Sequence, residues 1–252
     1  MIAIAFFVTE SCKTTAINNQ TSEKKNKSEP IPNWVGIFTG VTPCADCEGI
    51  YTILQLNADE TYTLQTRYLG KAGKTEKTTG TFIWNKSKQS NTIQLNSDEN
   101  SIPKRFLIGT NSITQLDMEG NIIEGNLANA YLLLRADTRI FDKNWTLVEL
   151  NGRIVQEDSL LNKRPYFTTK LDGSIVNGFG GCNMFFGMLE LTKNNRIHFP
   201  PMASTQMACP NLELESAFIN TIQKADNFYI KGDTLILNKA KMATLARFVS
   251  VP

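Results

Sequence analysis

Cys44 and Cys47 stand two residues apart in the run Thr42-Pro43-Cys44-Ala45-Asp46-Cys47-Glu48-Gly49. Such a pair can close a disulfide, offer two soft thiolates to Cu(I), or exchange electrons with another dithiol. A four-residue disulfide loop removes little chain entropy, about 2 kcal/mol, so it is a weak staple. It still forms readily in an oxidised compartment. Thiolates suit Cu(I), and Asp46 and Glu48 are then either outer oxygen donors or plain solvated loop charges. Exchange of the thioredoxin kind needs a helix N-terminus after a strand to lower the thiol pKa. No such unit is visible here, and Pro43 points to a loop entering a strand. The three readings stay open, in the order disulfide, metal contact, exchange.

The chain has five cysteines, and Cys182 and Cys209 form the second pair by position. A bridge between them would close about 28 residues and stabilise the fold by roughly 3.5 kcal/mol. Met202 and Met207 near Cys209 are soft thioethers, although methionine more often fills cores. His198 is the one histidine. Beside Phe199 and Pro200 it reads as structural rather than as a ligand or base. One histidine largely excludes His-rich zinc sites and weakens any Ser-His or Cys-His arrangement. No paired carboxylates or activated nucleophile stand out. Gly180, Gly181 and Gly187 are not followed by Lys-Ser/Thr, so they do not make a phosphate loop. The expectation is a protein that is not an enzyme.

Cys12, the fifth cysteine, follows the apolar stretch of residues 2–8 and Thr9-Glu10-Ser11. This resembles the end of a bacterial lipoprotein signal peptide, in which the cysteine carries the lipid. Residues 1–12 are therefore expected to be a signal-peptide remnant with Cys12 lipidated. No Lys or Arg precedes the apolar stretch, and Thr-Glu-Ser replaces the usual Leu-small-small. Residues 13–33 are polar and cannot offset their ordering entropy, so a disordered tether is expected there. Multiple acylation of Cys12 would anchor stably.

These features must be held by a body whose composition is that of a globular protein: 252 residues, 41% hydrophobic and 20% charged, with a net charge of +2. Much of that charge lies in residues 13–29, which leaves the body close to neutral and without a footprint for nucleic acid. No run of 18 apolar residues is present to make a spanning helix.

From Trp34 to residue 136 the pattern has period two. Ile50–Leu56, Thr61–Tyr68, Gly80–Trp84, Thr92–Leu95, Arg105–Ile108, Ile113–Leu116 and Ala130–Leu134 are short runs rich in β-branched and aromatic residues. Turn signals at Asn57–Glu60, Gly70–Gly73, Asn96–Asn100 and Glu119–Asn121 separate them. An antiparallel barrel or sandwich follows. The run Pro43-Cys44-Ala45-Asp46-Cys47-Glu48-Gly49-Ile50 closely resembles the signature of the NlpE family of copper-resistance and envelope-stress lipoproteins. Phe38-Thr39-Gly40 before it resembles the same family, as do Tyr62-Thr63-Leu64, Leu116-Asp117-Met118-Glu119-Gly120 and Tyr131-Leu132-Leu133 after it. The resemblance covers nearly all of 34–136 and implies a small lipocalin-like antiparallel β-barrel on an outer-membrane lipoprotein.

Residues 135–142 read as a short polar hinge before a second domain, 141–252. Trp145 opens a new pattern, with strands expected at Tyr166–Leu171, Ser174–Asn177, Met188–Leu191, Arg196–Phe199, Phe228–Ile230, Thr234–Leu237 and Ala243–Val249. Asp172-Gly173 and Lys231-Gly232-Asp233 are turn signals. Leu214, Ala217, Phe218, Ile222 and Ala225 make one apolar helical face. Asn211 is a suitable N-cap, and Glu213 and Glu215 lie in the first turn, where the helix dipole favours them. The class is α+β: an antiparallel sheet with one packed helix. Gly181-Cys182-Asn183 with Gly187, Thr205-Gln206-Met207-Ala208-Cys209, then Glu215 and Phe218, resemble the META/HslJ family. Gln206 stands where an Arg is common. The family is linked to stress phenotypes and has no accepted chemistry.

Taken together, the chain is expected to be a non-enzymatic bacterial envelope lipoprotein, an outer-membrane lipoprotein facing the periplasm or the cell surface. Its expected role lies in the envelope stress response or copper homeostasis. Copper is the one cofactor considered, at Cys44 and Cys47. The partners expected are the membrane, through Cys12, and an envelope protein, with the chain itself a monomer. The alternatives are a lipocalin-type carrier of a small hydrophobic ligand or lipid, and a CxxC thiol-disulfide protein.

Overall fold

Alternation of β-branched and aromatic residues with polar ones builds both halves of the chain from antiparallel strands. The computed structural model describes residues 33–71, 75–85, 91–96, 102–156, 163–209, 212–241 and 243–251. The expected signal remnant, the lipid-bearing Cys12, the tether up to Pro32 and the N-cap residue Asn211 lie outside the described residues.

Eight strands close a barrel as a meander: β1 (Gly36–Thr42), β2 (Gly49–Leu56), β3 (Thr61–Leu69), β4 (Glu76–Asn85), β5 (Thr92–Leu95), β6 (Arg105–Ile108), β7 (Ser112–Gln115) and β8 (Leu132–Arg135). Closure comes from β1 pairing with β8, with Thr39 opposite Leu134. Gly40 makes that seam possible, because a Cβ there would lie 2.7 Å from Leu133 Cδ2. Every strand sends an apolar side chain inward. Phe38, Leu54, Leu64, Phe82, Ile93, Phe106, Ile113 and Leu133 form one buried cluster, which fills the barrel with side chains. The expected strand Ala130–Leu134 begins later. Residues Ala128–Tyr131 make a 3-10 turn, and the strand starts at Leu132.

The second sheet comprises β9 (Asn144–Leu150), β10 (Arg153–Ile154), β11 (Tyr166–Lys170), β12 (Ile175–Phe179), β13 (Met184–Met188), β14 (Glu190–Thr192), β15 (Arg196–His198), β16 (Ala203–Ser204), β17 (Asn227–Lys231), β18 (Thr234–Lys239) and β19 (Ala243–Val251). Its order runs β14-β15-β17-β18-β19-β9-β11-β12-β13-β16, with β10 on β9. The expected strand Met188–Leu191 is broken at Leu189, so its halves belong to β13 and β14. The sheet continues N-terminally to Met184, where the residues had been legible only as a motif.

The helix α1 (Leu212–Lys224) buries Phe218 and Ile222 on its apolar face, as the spacing predicts. Phe218 lies 5.8 Å from Phe185 and 6.1 Å from Phe248, ring centre to ring centre, within the range of favourable aromatic packing. The segment read as a polar hinge carries Ile140 and Phe141, both buried in this second core. Ile140 also offers its carbonyl to Trp145 Nε1–H at 2.8 Å and to Thr169 Oγ1–H at 2.6 Å. The connection is therefore packed structure. The barrel and the second sheet belong to one compact unit.

Candidate functional site

The antiparallel register of β1 and β2 pairs Thr42 with Ile50, so the Cys-x-x-Cys run forms the connection at one end of the barrel. Cys44 and Cys47 are joined by a disulfide, with 5.4 Å between their Cα atoms. Both are half-buried, and Ala45, Asp46 and Glu48 are exposed. The Asp46 carboxylate accepts from Lys71 Nζ at 2.5 Å, just beyond the end of β3. Hydrogen bonding and attraction from that ammonium hold Asp46 below the usual carboxylate range. The donor atoms of Cys44, Asp46 and Cys47 all lie within 4.8 Å of one another. As a disulfide the sulfurs are poor ligands. Reduced, they become two adjacent thiols with one hard oxygen beside them, and the oxygen is already engaged by Lys71. That donor set fits a soft monovalent ion held by sulfur alone. The loop joins two strands, so no helix N-terminus supports thioredoxin-type exchange.

Next to this loop the outer face of β1–β3 is covered rather than solvated. Thr39, Tyr51, Ile53 and Gln65 point outward from the barrel and are buried. Tyr51 and Arg67 are cross-strand partners on β2 and β3. Glu190 and His198 are cross-strand partners on β14 and β15. The two pairs meet. Arg67 Nη2 donates to Glu190 Oε1 at 2.6 Å, and the side chains are only 13% and 8% exposed. The Leu191 N–H donates to Tyr51 Oη at 2.8 Å. The Arg67 guanidinium lies 5.7 Å above the Tyr51 ring. His198 Nδ1 approaches Glu190 Oε2 at 3.2 Å from the solvent side. At the rim, Lys77 pairs with Asp172 at 2.9 Å, and Lys193 Nζ donates to the Asn129 carbonyl. His198 itself is exposed, on a strand that lies between β14 and β17. Tyr51, Arg67 and Glu190 were not legible as partners, because 123 to 140 residues separate them.

Burial pushes the Tyr51 phenol up to about 12. Its folded value lies above the unfolded one, near 10, so the neutral form is the one the fold favours. Stability from this group is complete below pH 10 and is lost as pH rises from 10 through 12. A shift of that size corresponds to about 3 kcal/mol. An ultraviolet tyrosinate titration should show a late-ionising component that is lost in Tyr51→Phe. Alkaline unfolding should start at higher pH in that variant.

In the second sheet, Cys182 and Cys209 are also joined, with 6.1 Å between Cα atoms. Glu215 lies on the first turn of α1. Its Oε2 accepts from the backbone N–H of Cys182 at 3.1 Å and of Asn183 at 2.5 Å, and its Oε1 accepts from Asn183 Nδ2 at 2.9 Å. Asn183 Oδ1 in turn accepts from Thr205 Oγ1 at 2.8 Å and from the Met207 N–H at 2.7 Å. Asn183 reaches 24 residues along the chain, bridging the start of β13, the segment before Cys209 and α1. Gly180 is obligatory beside this carboxylate, since a Cβ would meet Glu215 Cγ at 2.6 Å. Met202 packs half-buried against Gly187, and Met207 is exposed. Cys182→Ser/Cys209→Ser should lower stability by about 3.5 kcal/mol in urea unfolding.

These two constellations coincide with two family models. Residues 38–126 match the NlpE N-terminal domain, and residues 138–252 match the META domain. The barrel thus matches the NlpE N-terminal domain, and the second sheet with its helix matches the META domain. Lipoprotein NlpE of Escherichia coli (strain K12) is 29% identical over 125 residues, 49% of this chain and 50% of that protein. The chain thus spans about half the length of this curated relative. A putative lipoprotein from Shewanella oneidensis has a crystal structure with 43% identity and a TM-score of 0.37, covering 41% of this chain and 90% of that one. The crystal structure of the Cpx pathway activator NlpE from Escherichia coli gives 21% identity and a TM-score of 0.30, covering 70% of this chain and 96% of that one. The disulfide loop Cys44–Cys47 lies in the NlpE-type barrel and the bridge Cys182–Cys209 in the META domain.

Proposed function

We propose that this chain is a non-enzymatic envelope lipoprotein, anchored through Cys12, whose barrel presents the Cys44–Cys47 loop as a copper- and redox-responsive handle for envelope stress signalling. The observation that carries the reading is the Pro-Cys-Ala-Asp-Cys loop, whose half-buried sulfurs and exposed Asp46 carboxylate are gathered within 4.8 Å at a barrel end. The match to Lipoprotein NlpE supports the lipoprotein part of it. Two electrons and two protons from a thiol reductant would convert the disulfide to two thiols, and Cu(I) would displace those protons on binding. A side-chain-filled barrel weighs against the alternative of an internal lipid carrier.

The test is a Cu(I) titration of the chain with and without reductant, alongside Cys44→Ser/Cys47→Ser. Tight 1:1 binding is expected only in the reduced parent protein. Equal affinity in parent and variant would remove copper from this loop. Processing is tested separately: Cys12→Ser should release the protein from the membrane fraction.

A further inference from the structure

The barrel has a second end, and strand direction places it opposite the Cys44–Cys47 loop: β1 begins there, and the loop follows where β1 finishes. At that second end lies a cleft of about 290 Å³ lined by Asn33, Trp34, Trp84, Asn91, Ile108, Gly109 and Thr110. We propose that this cleft binds a neutral carbohydrate ring, a site unrelated to the cysteine chemistry.

Its walls are two indoles set as a corner. The Trp34 and Trp84 rings are 5.5 Å apart at 74°, and each packs against Phe82, at 5.6 and 6.0 Å. Mutual edge-to-face packing fixes both rings before any ligand arrives, and both remain half-buried rather than covered. The segment carrying Trp34 is itself held. Arg135, at the end of β8, donates to the carbonyls of Asn33 and Val35. The rim supplies the side chains of Asn33, Asn91 and Thr110, which are exposed. They offer neutral donors and acceptors of the kind that pair with hydroxyl groups.

The choice of ligand class follows from what the cleft offers and omits. A sugar ring has an apolar C–H face for an indole and an edge of hydroxyls for amides. Among the described residues, no charged side chain lines the cleft. Arg135 is committed to backbone carbonyls and to the Phe38 ring, 4.8 Å away. An anion therefore finds no free cation among the lining residues. An acyl chain needs an apolar channel below the mouth, and that space is taken by Phe82, Ile93 and Phe106. The volume sits at the lower edge of the usual range for ligand pockets, about 300–1,000 Å³, which suits a single ring better than an extended chain.

The chain's three tryptophans make the test direct. Trp145 is fully buried in the META core and should not respond, so a ligand-dependent fluorescence change reports Trp34 and Trp84. The whole chain is titrated with N-acetylglucosamine and glucose, with decanoate as comparator. A saturable change is expected with at least one sugar, weakened at least tenfold in Trp84→Ala and about fivefold in Asn91→Ala. Among the described residues, Asn91 is tied to the barrel by its backbone carbonyl, at 2.8 Å from the Ile108 nitrogen, which Asn91→Ala keeps, so this variant retains the fold even if Trp84→Ala does not. Cys44→Ser/Cys47→Ser should bind the sugar as the parent does, which separates this site from the copper reading. The proposal is overturned by the absence of a saturable response to either sugar, by Asn91→Ala binding within twofold of the parent, or by a response to decanoate alone.

Discussion

Glu190→Ala should destabilise the protein by about 3–5 kcal/mol, because it leaves the Arg67 guanidinium charged at a buried seam without its carboxylate. The pair is 2.6 Å apart and nearly excluded from solvent. The loss should appear as a lower urea midpoint, with barrel and META domain unfolding separately. Replacing both partners by apolar side chains, Arg67→Met with Glu190→Leu, should recover most of that loss, since an ion pair taken out of water gains little over good packing. A double-mutant cycle distinguishes the pair from its surroundings. If Glu190→Ala unfolds within 0.5 kcal/mol of the parent, the seam is not a stabilising contact. The register explains why one residue carries so much. Glu190 is gripped from one side by Arg67 and from the other by His198, so its removal loosens β14 as well as the barrel contact.

The second large effect is expected at Glu215. Its carboxylate satisfies two backbone N–H groups and the Asn183 amide, all part-buried. Hydrogen bonds to a charged acceptor contribute about 1.5–3 kcal/mol each, and a donor left unsatisfied in the interior loses its solvation as well. Glu215→Ala should therefore cost about 3 kcal/mol or more, and Glu215→Gln less, because its one amide oxygen still accepts. The variant should also speed reduction of Cys182–Cys209 by dithiothreitol, since Cys182 lies in the loop that Glu215 holds. Unchanged reduction kinetics together with unchanged stability would show that the disulfide alone fixes this loop.

Both residues mark where sequence reasoning stopped. The apolar face of α1 was legible from Leu214, Ala217, Phe218 and Ile222, because helical period is a local property of the chain. Glu215 was equally visible, yet its place in the first turn accounted for it as a dipole partner. Nothing local shows that the same carboxylate reaches Cys182 and Asn183, 32 to 33 residues earlier. The break at Leu189 was hidden in a similar way. Met188-Leu189-Glu190-Leu191 reads as one short strand, and only the pairing of β12 with β13 and of β14 with β15 divides it.

The sequence alone determined the β-rich class and the helix with its apolar face, because each depends on spacing within a segment. The tertiary structure alone decided that Tyr51, Arg67, Glu190 and Leu191 form one seam, and that two tryptophans 50 positions apart line one cleft. Such contacts are set by barrel closure and by how two sheets dock. They depend on the summed geometry of many strands, which no local pattern encodes.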